Sequence, residues 1–254
     1  MCTVLLLLRP DAAWPLLIGT NRDERRDRAF EPPARHWPDA PGIVGPRDVL
    51  GGGSWFGVND DGVVATLVNG MQRLGPLPGK ASRGELVLRT LREHDAAVAA
   101  RVAAAIPAEQ YRGFTLLLAN RTAAFAVTCD ERTIAVTELA PGYHMVTPDG
   151  CDVPSSPRFA AHFGALRAAP PPSPSDGDWS SWIELLTRTD ADDPHRATFV
   201  PETDGFGTVA GTLLGLPADH SQPPALLFAN GPPGVAPYEP VRAPWVRAAR
   251  VESG

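Results

Sequence analysis

Cys2 and the tetrapeptide Asn21-Arg22-Asp23-Glu24 carry the residue types in this chain that can do chemistry. Between them lie two short apolar runs, residues 4–8 and 16–18, with a turn at 10–14. Two such runs around a turn predict a β-hairpin. The end of its second strand returns to the start of its first, which gathers Asn21 through Glu24 around Cys2. Methionine is commonly trimmed ahead of a small residue, and trimming here would leave Cys2 with both a thiol and a free α-amine. An α-amine titrates near about pH 8, close enough to neutrality to act as a general base. A thiol becomes a strong nucleophile once a neighbouring amine or cation favours the thiolate. One residue can then be nucleophile and base together, with Asp23 orienting the amine and Arg22 favouring thiolate. A cysteine alone at a strand start reads as an ordinary buried small residue; the charged cluster one hairpin later turns the reading towards chemistry.

The elements that must position this group follow along the chain. Residues 25–46 are rich in proline and arginine and read as a loop. Its Arg25, Arg26, Arg28 and Arg35 would offer a cationic contact to a carboxylate or phosphate of a substrate. Gly51-Gly52-Gly53 leads into an apparent strand and not a helix, which excludes a nucleotide-binding glycine loop and points to close backbone approach. Gly79-Lys80 fails as a phosphate loop, because Gly75 stands one residue too near and Ala81 fills the Ser or Thr position.

Asn59-Asp60-Asp61-Gly62 marks a second hairpin between residues 55–58 and 63–68. Asn69, at the end of that hairpin, is either a turn-former before Gly70 or an oxyanion donor worth about 3–4 kcal/mol of barrier. Ser82-x-x-Glu85 has the form of a capping box. It opens a helical pattern over 82–106 that breaks near His94-Asp95 and stops at Pro107. Residues 114–119, 123–128 and 133–139 read as an antiparallel meander, and 143–146 as a further strand whose His144 reads as packed or surface. Helices are expected over 158–168 and 179–187, strands over 206–216 and 225–229. Grouped strands and grouped helices without βαβ alternation mean an α+β fold.

A chain of 254 residues can bury one sizeable core. We expect a single domain over residues 1–240, with 241–254 as a surface tail. The net charge of −6 argues against nucleic acid or an anionic membrane as the main partner. The apolar run at 4–8 is too short for an integral membrane segment and lacks the flanks of a signal peptide. Cys2, Cys129 and Cys151 form neither a paired framework nor a metal-ligand spacing, so a reducing cytoplasm and no metal site are expected.

Several separated motifs resemble one family. They are the Met-Cys-Thr start, Asn21-Arg22-Asp23-Glu24, Gly-Gly-x-Trp-x-Gly-x-Asn from Gly52 to Asn59, Gly-Lys-x-Ser-Arg-Gly from Gly79 to Gly84, and Gly205-Phe206-Gly207-Thr208. Together they resemble the NRDE family, which includes the transport-and-Golgi-organisation protein. That family in turn resembles the N-terminal-nucleophile (Ntn) hydrolases of the penicillin V acylase and conjugated bile salt hydrolase type. The resemblance implies a four-layer αββα sandwich of two antiparallel sheets flanked by helices. It implies Cys2 as nucleophile, Asn21 and Asp23 as the Asn-x-Asp of the second strand, with Asp23 on the α-amine, and Asn69 in the oxyanion hole. Arg22, Glu24 and Trp55 would contact substrate. The chain departs from the acylases at Thr20, where they carry arginine, and at Pro148-Asp149 and Val209, where they carry a second Asn and a late Arg. The implied activity is hydrolysis of a C–N amide bond in a small molecule, with no cofactor required. The alternative is a non-catalytic carrier for haem or an acyl-CoA or lipid metabolite on the same fold. Neither names the substrate or the oligomeric state.

Overall fold

Strand β1 (Thr3–Leu8) reads TVLLLL and is buried at every position, as a strand covered on both faces must be. Side chains alternate across a strand. Val4, Leu6 and Leu8 therefore enter one apolar cluster and Leu5 and Leu7 another. In the computed structural model, which describes residues 2–70, 75–243 and 245, this parity sets the layers.

β1 lies between β2 (Leu16–Arg25) and β10 (Gly142–Thr147), antiparallel to both. The first sheet continues through β12 (Phe206–Leu216), β13 (Ala225–Ala229) and β14 (Tyr238–Pro240) on the β2 side, and ends at β11 (Gly150–Cys151) beside β10. The second sheet is an antiparallel meander in chain order: β3 (Phe30–Ala34), β4 (Ile43–Asp48), β5 (Phe56–Asn59), β6 (Val64–Asn69), β7 (Phe114–Ala119), β8 (Ala124–Cys129) and β9 (Ile134–Leu139). Between the sheets, Leu6, Leu8 and Ile18 meet Phe56, Val58 and Leu117. Helices α1 (Gly84–Thr90) and α2 (Ala96–Ala104) cover the outer face of the second sheet, with Leu86 and Ala99 against Leu116 and Leu118. Helices α3 (Pro157–Ala168) and α4 (Ser180–Leu186) cover the first, where Leu166 and Trp182 meet Leu5 and Leu7. The result is the expected αββα sandwich.

Two local expectations give way. Residues 25–46 are not only loop, since they contain β3 and β4. Pro32 and Pro33 are tolerated because β3 is an edge strand whose register slips between Glu31 and Ala34. The Ser82–Glu85 capping box does not form. Arg83 is the N-cap and makes no side-chain cap bond, while Glu85 accepts the Tyr111 hydroxyl at 2.6 Å. The expected break near residues 94–95 is present, and there the Asp95 carboxylate starts a new helix by accepting from the Ala97 and Val98 amides. Of the proposed tail, Val241, Ala243 and Trp245 pack on the inter-sheet cluster, and its remaining residues apart from Arg242 lie outside those described.

Two turns position the second sheet. Gly62 adopts φ +83° in the β5–β6 turn, a conformation suited to glycine. Gly53 has no room for a side chain, because a Cβ there would lie 2.4 Å from the Gly84 carbonyl carbon. The Ser54 amide donates to the Gly84 oxygen at 3.1 Å, so the β4–β5 connection is pressed against the start of α1.

His144 sits far from these turns, its Nδ1 2.5 Å from Asp152 and its Nε2 2.7 Å from the Ala140 carbonyl. Burial alone would lower this imidazole, but the two acceptors outweigh it and the net direction is upward. The stabilisation is therefore complete below the unfolded pKa, about 6.5, and is lost as pH rises through the higher folded value. Urea midpoints measured across that range should show His144→Gln destabilised by about 1.5 kcal/mol at low pH, with the gap closing as pH rises.

Candidate functional site

The β1–β2 register pairs Thr3 with Asn21 and Val4 with Thr20, which carries Cys2 opposite Arg22. Parity then divides the tetrapeptide. Cys2, Arg22 and Glu24 fall on the side of the second sheet, and Asn21 and Asp23 on the side of α3 and α4. Cys2 joins the inter-sheet cluster at 7% exposure. Beside it, at one end of the sandwich, opens a cavity of about 410 Å³. Cys2, Asp23, Arg22 and Glu24 line it from the first sheet, Trp55 and Asn69 from the second.

Asp23 is held from its own face of the sheet. Its Oδ1 accepts the Thr208 hydroxyl at 2.6 Å, and Thr208 stands directly opposite it in the β2–β12 pairing. The register shifts between Thr208 and Ala210, so Val209 is the extra residue of a bulge. Arg158, from α3, reaches the same place at 1% exposure. Its Nη1 donates to Thr3 Oγ1 at 3.0 Å and to the Cys2 carbonyl at 3.4 Å, and lies 3.9 Å from Asp23 Oδ2. A single side chain thus touches the main chain of Cys2 and the charge of Asp23.

No local sequence pattern assigns a role to Arg158 or Thr208. The signal the sequence does hold is the spacing of four that puts Arg158 and His162 on one helical stripe with Leu166, and these are the residues that α3 buries. Val209 itself is spent on the bulge.

Asn21 requires a correction, because it does not line the cavity. Its Nδ2 donates to the carbonyls of Leu186 at 2.7 Å and Thr198 at 2.9 Å. It ties β2 to the end of α4, on the face opposite Cys2. The arginine-rich segment is also corrected in part. Arg28 lines the cavity, whereas Arg26 and Arg35 pair with Glu202 and Asp60 elsewhere, and Arg25 borders an adjacent cavity.

Arg22 and Trp55 form one wall. The Arg22 guanidinium lies over the Trp55 ring, 4.1 Å from its centroid, and 5.2 Å from that of Phe30. Asp48 is 3.6 Å away. Such cation–π contacts are worth about 2 kcal/mol when desolvated. Burial lowers the Arg22 pKa, and the charges of Glu24 and Asp48 oppose that shift. Glu24 accepts from the Arg25 amide at 2.9 Å and lies 3.8 Å from Arg28.

Burial pushes the Cys2 thiol upward and the charge of Asp23 adds to the shift; Arg22 pulls the other way without reversing it. Arg22 thus favours thiolate, as expected, but its pull is smaller than the opposing effect of burial. Asn69, half-buried at the end of β6, makes no side-chain hydrogen bond among the described residues. Asn59, by contrast, is spent on structure, donating to the Leu91 and Glu93 carbonyls at 2.9 and 2.7 Å. Cys129 and Cys151 are free and lie outside the cavity. Among the described residues no group of three or more His, Cys, Asp or Glu side chains is placed to hold a metal ion.

Two antiparallel sheets between helical layers make an Ntn-hydrolase-like fold. Solved structures share it. A Caenorhabditis elegans N-acylethanolamine-hydrolyzing acid amidase ortholog superposes with a TM-score of 0.58 at 13% identity, over 87% of this chain and 95% of its own. The penicillin V acylase of Agrobacterium tumefaciens gives 0.54 at 13% identity, over 90% and 83%. The C2A mutant of the Clostridium perfringens conjugated bile acid hydrolase gives 0.50 at 9%, over 97% and 98%. At these identities the likeness establishes the fold. The chain belongs to the Transport and Golgi organisation 2 family, whose profile matches residues 1–216. No curated protein matches it by sequence.

Removing Arg158 deprives a buried carboxylate of its nearby guanidinium, a change that costs about 3 kcal/mol or more. Arg158→Met should lower unfolding free energy by about that amount in denaturant titrations. Combining it with Asp23→Asn should cost less than the sum of the two single changes, since the pair is coupled.

Proposed function

We propose that this protein is an N-terminal cysteine hydrolase acting on a C–N amide bond of a small molecule. The observation that carries the reading is the meeting of Cys2, Asp23 and Asn69 in one cavity. Release of Met1 would leave the α-amine on Cys2, next to a sulfur whose burial disfavours thiolate. An amine on the same residue answers that need, because it takes the thiol proton as the sulfur attacks the substrate carbonyl. Asp23 orients that amine, and Arg158 holds the main chain at that end of β1 through the Cys2 carbonyl. The carbonyl oxygen becomes an oxyanion within reach of the Asn69 amide, which has no side-chain partner among the described residues. As the tetrahedral intermediate collapses, the C–N bond breaks and the amine proton passes to the leaving nitrogen. The acyl group stays on sulfur as a thioester, which water then cleaves with the same amine as base, restoring the thiol. Arg22 and Trp55 form the wall against which substrate lies. The cytoplasm, where thiols stay reduced, suits a free cysteine.

A carrier on the same fold is the second reading, with haem or an acyl-CoA or lipid metabolite as cargo. What favours it is a second cavity of about 860 Å³ that shares Leu50 and Pro76 with the first and is bordered by Val49 and Phe206. Val49 and Leu50 are 50% and 75% exposed, an apolar margin suited to a hydrophobic ligand.

The readings separate in one experiment. Protein shown by intact mass to lack Met1 is incubated with a panel of N-acylated amines, and released amine is quantified. The hydrolase reading requires turnover that Cys2→Ala abolishes and that Asn69→Ala lowers by about 10²–10³ in kcat. Retention of Met1 in the protein isolated from cells, or amine release that survives Cys2→Ala, would sink it.

A further inference from the structure

Five cations line the Cys2 cavity, Arg22, Arg28, Lys80, Arg83 and Arg112, against three carboxylates, Asp23, Glu24 and Asp48. Five less three leaves a lining of about +2 in a chain whose net charge is −6. Most of these cations have acidic neighbours. Arg22 and Arg28 share Asp48, and Lys80 is 3.4 Å from Glu131. Arg83 differs. It donates to two main-chain carbonyls, Gly113 at 3.0 Å and Gly75 at 3.3 Å, and among the described residues no carboxylate lies within ion-pair distance of it. Arg112 donates to the same Gly75 oxygen at 3.2 Å, so two guanidiniums converge on one carbonyl.

Two like charges brought together on a cavity wall raise the local positive potential, which attracts an anion. Burial, then the charge of Arg112, holds the Arg83 pKa down at about 10; at neutral pH the side chain is still charged. A guanidinium has five N–H donors in a planar fork that matches carboxylate and phosphate geometry, and two carbonyl bonds leave three unspent. Tying the start of α1 to neighbouring carbonyls would explain the two bonds. It does not explain a charged, half-buried group on a cavity wall beside a second one. Arg83 also lies in Gly79–Gly84, a motif to which the hydrolase mechanism gives no part.

We propose that Arg83, with Arg112 beside it, binds a carboxylate or phosphate group carried by the substrate. The anion site stands on the cavity geometry; that its occupant is an amide presented to Cys2 rests on the hydrolase reading. The substrate class is then an acidic amide, anchored by its charge on the Arg83 wall.

The test compares iodoacetate with iodoacetamide, near-isosteric reagents that differ by one negative charge, as alkylators of Cys2 in wild type, Arg83→Gln and Arg83→Lys. Peptide mapping separates Cys2 from Cys129 and Cys151. The ratio of the two rates cancels any change in thiol pKa. It should fall about tenfold in Arg83→Gln and recover in part in Arg83→Lys; an unchanged ratio overturns the proposal. Should Arg83→Gln fail to fold, Arg112→Gln carries the same comparison. In parallel, inorganic phosphate and acetate at constant ionic strength are tested for a rise in thermal midpoint that Arg83→Gln loses. A rise with phosphate assigns a phosphate group, and with acetate alone a carboxylate. Where Cys2 reacts with neither reagent, the absence of both rises overturns the proposal. Amine release from neutral N-acylated amines is scored separately. An intact charge effect without turnover defeats the hydrolase and leaves the anion site standing, and turnover without a charge effect does the reverse.

Discussion

Both faces of the sheet end on a buried guanidinium where β1 begins. Arg158 arrives from the helical side and Arg22 from the side of the second sheet, at 1% and 4% exposure. Desolvating such a group costs several kcal/mol unless hydrogen bonds and opposite charge replace the lost water. The two are compensated in different ways. Arg158 rests on Thr3, the Cys2 carbonyl and Asp23, Arg22 on Trp55, Phe30 and Asp48. These obligations fix the surroundings of the thiol. Neither arginine can withdraw without leaving a buried carboxylate or an aromatic wall uncovered.

A central strand with two buried faces is what makes this arrangement possible. β1 is hydrogen-bonded on both edges, to β10 and β2, so the main chain leading from Cys2 is fixed by neighbours as well as by side chains. A one-residue slip in the β1–β2 register would send Cys2 to the helical face or, with β1 held, exchange the surroundings of Arg22 and Asp23. The Val209 bulge works within the same constraint: it absorbs a residue and leaves Thr208 facing Asp23 and Ala210 facing Arg22.

Much of this was legible because period-two and turn signals are local. The hairpins, the meander and the helix spans all follow from residues within a few positions of one another, and the layering follows once they are grouped. The pairing of Cys2 with the tetrapeptide was legible for the same reason, since a hairpin is a short-range object. What escaped was long-range. Arg158 is 156 residues from the carbonyl it binds, and Thr208 is 185 from Asp23. No local pattern announces such partners. Asn21 stands beside the site in sequence, but its amide is committed to the Leu186 and Thr198 carbonyls, partners 165 and 177 residues away. The capping box failed because Glu85 found a phenol to accept from, a competitor that lies 26 residues away.

The run Gly51-Gly52-Gly53 looks like one signal, yet its members answer to three separate demands. Gly52 has φ +70° with open space around it, Gly51 has only ordinary contacts, and Gly53 is packed against the Gly84 carbonyl group. Under random mutation the three should part company: asparagine is admissible at the middle position, small side chains at the first, and nothing at the third. A drifting lineage would be expected to erode the triplet from its leading end, keeping one glycine as the invariant spacer between the mouth of the cavity and the helix behind it.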